Sequence, residues 1–241
     1  MSIDRHAGNL REPTVHNAES MYGTILEWGL LPFFENLIPG YSVEELTPPR
    51  YWFDGEEDGL GPWDWKIECV RSGDIAYGKF LLGGKAAFAT LPWYRELRNY
   101  RQSLPKYQPD AAQQQILDYV DSHGGAITIR EVRQLLGIKK SAADALIARL
   151  QMQCRLVTGN LQRVYRGQDL HYSGWQIASF CRPEDLFEAP DFQAFLGFPG
   201  AAAPHPLTPD CSPAESLERL CAHVTALTGE RDRARLLRLL G

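Results

Sequence analysis

Residues 110–167 read DAAQQQILDYVDSHGGAITIREVRQLLGIKKSAADALIARLQMQCRLVTGNLQRVYRG, and the fold turns on this stretch. Ile116, Leu117 and Val120 share one face of a predicted helix over 111–122. Gly124-Gly125 stops it, and Ala126-Ile127-Thr128-Ile129 is a β-branched run that predicts a short strand. A second helix over 130–136 turns Val132, Leu135 and Leu136 inward and ends at Gly137. Ser141 is the expected cap of a third helix reaching about Gln151, with Leu146, Ile147 and Leu150 buried. Arg155-Leu156-Val157 and residues 161–165 then predict a hairpin whose tip is Thr158-Gly159-Asn160. Helix, strand, helix, helix, hairpin is the order of a winged helix-turn-helix, a module that reads DNA.

The rest of the chain sets limits on what this module serves. At 241 residues it can bury a sizeable core in one or two domains. Residues 1–14 are polar and predict no signal peptide. The most apolar windows, 25–38 and 76–91, are interrupted by Gly, Pro, Glu or Lys before they could span a membrane. Cys69, Cys154, Cys181, Cys211 and Cys221 form no CxxC pair, which fits free thiols in a cytoplasmic protein better than a disulfide framework or zinc site. The net charge of -5 argues against indiscriminate nucleic-acid binding. Its distribution is uneven: residues 101–180 hold 10 basic and 6 acidic side chains, whereas residues 1–100 hold 9 and 15. The positive block therefore coincides with the predicted module, as phosphate attraction would require.

Around it, residues 1–16 read as a flexible tail and 17–105 as an N-terminal α/β region. In that region Asn17 caps a helix to Trp28, 31–40 is a packed loop or short helical turn broken by Pro32 and Pro39, and 47–66 is irregular, aromatic and acidic. Residues 75–80 and 85–89 predict a hairpin across Gly83-Gly84, followed by a helix over 92–102 carrying Arg95, Arg98 and Arg101. The winged-helix domain is assigned to 106–196 and a Pro/Ala-rich linker to 197–212. A C-terminal helical hairpin over 213–241 starts at a capping box of Ser212 and Glu215. Its stripe of Leu217, Leu220, Cys221, Val224 and Leu227 would fold back on the body or pair with a second copy in a homo-oligomer.

Chemistry-bearing patterns are sparse. The six histidines make no HxH or HExxH, and no phosphate-cradling Gly-rich loop, GxSxG or Cys-His arrangement occurs. No metal and no cofactor is therefore expected. The cluster Tyr51, Trp52, Phe53, Trp63 and Trp65 reads as core anchors more readily than as a stacking platform, because Asp54, Glu56, Glu57 and Asp58 would repel phosphates. Those acids also lack the alternation of a cation loop. The candidate DNA-binding residues are Lys139, Lys140 and Ser141 at the start of the third helix, Arg149 further along it, and Arg155 and Arg163 on the hairpin. Ala142, Ala143 and Asp144 make that helix a poor reader of base edges, so a protein-interaction module is the competing reading.

Gln151-Met152-Gln153 remains. Together with Leu31-Pro32-Phe33-Phe34, Ile38-Pro39-Gly40-Tyr41, Pro62-Trp63-Asp64-Trp65-Lys66, Ala76-Tyr77-Gly78-Lys79-Phe80 and Ser212-Pro213-Ala214-Glu215-Ser216, it carries a resemblance. Residues 17–241 resemble a bacterial family related to AlkZ, the winged-helix DNA glycosylases that excise alkylated and cross-linked purines. The resemblance implies a Gln–aliphatic–Gln catalytic motif matched by Gln151 and Gln153, and a role in genome maintenance. An N7-alkylated purine is already cationic, so amide oxygens that place water and stabilise the sugar cation would suffice. Those enzymes are longer and carry three winged helices, against one here. A pair at i and i+2 shares a face on a strand but points about 200° apart on a helix. The expectation is thus Gln151 on the outer edge of the third helix and Gln153 at its end, in local backbone hydrogen bonds. In sum the sequence predicts an α+β protein around a winged helix, with double-stranded DNA as partner; a monofunctional glycosylase is the alternative enzyme reading.

Overall fold

The computed structural model describes residues 14–53 and 61–241, and it is an α+β protein. Asn17 accepts the Ser20 N–H at 2.8 Å and Ser20 Oγ accepts the Asn17 N–H, a capping box that starts α1 (Ala18–Trp28). Gly29, at φ 67°, ends it. There follow β1 (Leu30–Pro32), α2 (Val43–Leu46), α3 (Arg50–Phe53), α4 (Pro62–Arg71), β2 (Ile75–Leu81), β3 (Lys85–Thr90) and α5 (Leu91–Gln102). The strands form an antiparallel sheet in the order β1–β3–β2, with Leu31 and Tyr77 both opposite Phe88. Two segments differ from expectation. Residues 30–32 form a strand rather than part of a loop, and Pro32 is tolerated because β1 lies at the sheet edge. Residues 47–66 are not irregular throughout: α3 lies within them and α4 begins at Pro62, which needs no N–H partner in the first helical turn. The acids at 54, 56, 57 and 58 lie outside the described residues, as does most of the N-terminal tail.

The central unit keeps the expected order. After a 3-10 turn at Pro105–Tyr107 come α6 (Ala111–Ser122), β4 (Ala126–Thr128), α7 (Ile129–Leu136), α8 (Lys140–Met152), β5 (Val157–Arg166) and β6 (His171–Cys181). Asp110 with Gln113, and Thr128 with Glu131, form the capping boxes of α6 and α7. The sheet order is β4–β6–β5, all antiparallel. Ser141 is not the cap of α8: extended Lys139 holds that position, and its carbonyl accepts the N–H groups of Ala142 and Ala143 at 3.1 Å. Leu135 is exposed rather than inward. The hairpin tip is also elsewhere. Thr158-Gly159-Asn160 lies inside β5, where the register shifts between Thr158 and Asn160, and the turn comes at residues 167–170. A Cβ on Gly159 would meet Cys181 Sγ at 2.9 Å, so glycine serves close strand packing there, not a turn.

The chain then forms α9 (Pro183–Glu188), α10 (Pro190–Phe195), α11 (Pro213–Thr228) and α12 (Arg233–Leu240). Residues 197–212 carry no helix or strand but are tied down: Ala202 N donates to Gln193 Oε1 and Leu207 N to Glu188 Oε1, both at 2.8 Å. Two buried clusters result. The smaller joins α6, β4, α7 and α8 through Ile116, Val120, Ile127, Val132, Ile147 and Leu150. The larger runs from Val15 through the first sheet to Leu220, Val224 and Leu239. Thus α11 packs on α5 of its own chain, and the inner part of its stripe faces inward. Glu96 of α5 strengthens that contact, accepting from Ser216 Oγ at 2.6 Å and from Arg219 at 3.1 Å. Burial acts to raise the Glu96 pKa, but the hydrogen bonds from Ser216, Cys211 and Arg219 outweigh it and hold the carboxyl below its usual range.

Leu220 is therefore a core residue. Leu220→Asp should cost more than the roughly 2–5 kcal/mol of a Leu→Ala core truncation, because it also buries an unpaired charge. Urea denaturation measures this, and an unchanged midpoint would place the stripe outside the core.

Candidate functional site

A cavity of about 890 Å³ lies where β2 approaches the central unit. Lys140, Asp144, Ile147 and Gln151 line it, at the four-three-four spacing that keeps one face of α8 turned the same way. β2 contributes Tyr77, Gly78 and Lys79; α7 contributes Arg130, Arg133 and Gln134; β6 contributes Trp175 and Ile177; α4 contributes Lys66. The hairpin is strapped to α4 by Arg163 Nε, which donates to Asp64 Oδ1 at 3.0 Å, and by Gln176 Nε2, which donates to the Trp63 carbonyl at 2.7 Å.

Gln151 is 1 % exposed and not on an outer edge. Its Oε1 accepts the Lys79 N–H at 3.1 Å and its Nε2 donates to Thr158 Oγ1 at 3.2 Å, so it joins α8 to both β2 and β5. A side chain there would displace the amide: a Cβ on Gly78 would meet Gln151 Nε2 at 2.9 Å. Gln153 is also buried, at 4 %, but lines a different, smaller pocket of about 440 Å³ with Lys106, Gln113 and Arg149. Its Nε2 donates to Gln113 Oε1 at 2.8 Å and less closely to the Gln108 carbonyl, a contact across to α6 and the 3-10 turn rather than a local one. The two amides point into separate pockets, as helical geometry requires, but tertiary packing has buried both.

The other residues singled out from sequence are dispersed. Lys140 is at the rim of the large cavity, paired with Asp144 at 2.7 Å. Lys139 and Ser141 are exposed at the start of α8, and Arg149 is at the smaller pocket. Arg163 is held by Asp64, and Arg155 is half-buried, its pKa lowered by burial and by the neighbouring Arg98 and Arg182. The sequence reading missed Lys79, Arg130 and Arg133, which are exposed at the cavity rim and make no ion pair with a described residue. A signal for two of them was present, since Arg130 and Arg133 stand at i and i+3 on α7.

Lys66 was missed altogether. It is 8 % exposed, its Nζ is 4.6 Å from the centre of the Trp63 ring and 5.8 Å from that of Phe33, and it makes no ion pair with a described residue. Burial pushes its pKa down from 10.5 to about 8, against the opposing pull of Asp64. Elsewhere, Glu96, Asp210 and Cys211 bring ligand atoms within 4.8 Å of one another, but Arg95 and Arg219 both lie against the two carboxylates, so the group is already neutralised. Burial raises the Cys69 thiol to about 12, far from thiolate reactivity. No helix among the described residues is long and apolar enough to cross a membrane.

Residues 15–241 match the family described as AlkZ related, and the chain belongs to that family. No curated protein and no solved structure matches it.

Two outcomes follow from this geometry. Gln151→Leu leaves the Lys79 N–H and the Thr158 hydroxyl without their partner and should destabilise the fold by about 1–3 kcal/mol in urea denaturation; no loss would show that the amide spans nothing. Lys66→Met should do the reverse. Between about pH 8 and 10.5 the unfolded chain binds a proton at Lys66 that the folded one has released, so wild-type stability gains with pH there. The stabilisation by methionine should be full below pH 8, about 3.5 kcal/mol at about 1.4 kcal/mol per pKa unit, and fade toward pH 10.5. Equal melting shifts at pH 7 and pH 10 would contradict this.

Proposed function

We propose that the central unit is a winged helix-turn-helix that binds double-stranded DNA, and that the large cavity receives a nucleotide drawn out of the duplex. The observation that carries this reading is the rim of Lys79, Arg130 and Arg133, exposed and unpaired with any described residue, around a cavity beside α8 and the hairpin. Cationic groups at the mouth suit phosphates, and about 890 Å³ is within the range that holds a ligand of nucleotide size. Trp175, 65 % exposed at the same rim, offers an aromatic face for an unstacked base. Membership of the AlkZ-related family supports a role in genome maintenance. Base excision by Gln151 and Gln153 acting together has less support, because only Gln151 lines this cavity.

A second reading rests on the hairpin itself. Tyr165, Leu170, Trp175 and Ile177 are all exposed, which favours a docked protein over DNA. Salt dependence separates the two. Arg130→Ala with Arg133→Ala should weaken binding of a labelled duplex and lower the slope of log affinity against log salt by about 1 for each phosphate contact removed, measured by fluorescence anisotropy. Parent protein that ignores DNA, or a double variant with unchanged affinity and slope, would move the hairpin reading to the front.

A further inference from the structure

Lys66 is the group this reading leaves unused, and its surroundings are unusual for a lysine. It stands on α4 and lines the large cavity, more than nine-tenths buried, with its ammonium against the rings of Trp63 and Phe33. Two carboxylates lie two residues away along the chain: Asp64 is already held by Arg163 at 3.0 Å, and Glu68 is exposed and makes no ion pair with Lys66. No hydrogen bond ties the ammonium to a described residue. A buried amine of this kind has two chemical uses, attraction of an anion or attack on a carbonyl. The exposed guanidinium groups of Arg130 and Arg133 at the rim are better placed for anions on a duplex backbone.

We infer that Lys66 is a nucleophile that forms an imine with an aldehyde in the cavity, and that the aldehyde is the ring-opened C1′ of a deoxyribose that has lost its base. This rests on the DNA-binding reading for its substrate, though not for the reactivity of the amine. The supply of neutral amine is favourable, since burial brings the Lys66 pKa to about 8. The nitrogen lone pair adds to C1′, and the carbonyl oxygen takes a proton to give a carbinolamine. Loss of that hydroxyl with the remaining nitrogen proton expels water, so C=N replaces C=O with no oxidant or reductant consumed. Hydrolysis runs the same steps backward and frees the lysine. Abasic sites are products of base excision and of spontaneous depurination, so either class of reaction supplies the aldehyde.

The test uses the full chain and a duplex bearing one abasic site, made by enzymatic removal of a single uracil, with sodium borohydride added to reduce any imine to a stable amine. The expected result is a borohydride-dependent protein–DNA adduct whose peptide maps to Lys66 and which Lys66→Arg abolishes. Should that variant fail to fold, the mapped peptide of the parent protein decides alone. A parallel duplex with a tetrahydrofuran abasic analogue, which has no aldehyde, reports binding without chemistry. Binding to that duplex with no trapped adduct, or an adduct at another amine such as Lys79, overturns the inference and leaves DNA binding standing. If no duplex binds, the DNA reading falls, and free 2-deoxyribose 5-phosphate with borohydride judges the amine. Labelling of Lys66 supports its nucleophilic role, and absence of labelling overturns it.

Discussion

Arg101 is 1 % exposed and makes no ion pair with a described carboxylate, yet three segments of the chain meet on its guanidinium. Nη1 donates to the Met152 carbonyl at 2.8 Å, at the end of α8, and Nε donates to the Leu240 carbonyl at 3.0 Å, at the end of α12. A second donor, Nη2, also reaches Leu240, and the Tyr107 ring lies 5.2 Å from the guanidinium carbon. A buried cation without a counter-ion is costly, but helix C-termini carry the negative end of the macrodipole and unsatisfied carbonyls. Two such ends share this one cation. The exit of α8 is thereby fixed against α5, and with it the direction in which Gln151 and Gln153 leave the helix. Gln102 extends the clamp by donating to the Cys154 carbonyl at 3.1 Å.

With the end of α8 fixed, the cavity depends on how closely β2 can approach it. Gly78 sets that distance, and Gln151 fills it with hydrogen bonds to both neighbours. Lys66 acts in the opposite sense, since an amine largely buried against aromatic rings weakens the fold at neutral pH. A side chain with that cost, projecting into a cavity with a cationic rim, is a usual sign of stability exchanged for function. The same region holds the exposed aromatic surface of the hairpin, so the strongest departures from ordinary packing gather in one place.

Elements whose ends are written in local chemistry were legible in the sequence. Asn17 and Ser212 make the capping bonds expected of them, and Gly29, Gly137 and Gly229 close helices at positive φ, whereas α8 is capped by Lys139 rather than by the expected Ser141. The order of the central unit followed from hydrophobic period together with the glycine stops and the β-branched run at 126–129. Other failures depended on distant partners. Thr158-Gly159-Asn160 has the composition of a turn, but its pairing with β6 and the pressure of Cys181 on Gly159 keep it in a strand. Lys66 lies in a polar, aromatic run that gives no hint of burial, and only the packing of α4 under the hairpin puts it in a cavity. Of the residues expected at the site, Lys140 and Gln151 meet at the large cavity; Lys139, Arg149, Arg155 and Arg163 were chosen for charge, which carries no information about which face they occupy.

The separation of Gln151 from Gln153 limits the chemistry available. To bring both amides into one cavity the last turn of α8 would have to unwind, because residues two apart on a helix diverge by about 200°. The helix end resists this. Cys154 adopts φ 53°, its N–H donates to the Gln151 carbonyl at 2.9 Å, and the Arg155 N–H donates to the Leu150 carbonyl at 2.9 Å. A non-glycine residue in that left-handed conformation costs about 1–2 kcal/mol and persists only when its surroundings over-determine it. Cys154 is fully buried, its carbonyl is held by Gln102, and the preceding turn is held by Arg101. Unwinding would break these contacts together and expose Gln153 from its bond to Gln113. In this geometry Gln151 shares the large cavity with Lys66, with the carboxylates of Glu131 and Asp144 and with the cationic rim, and a reaction there would have to draw on these rather than on a pair of glutamines.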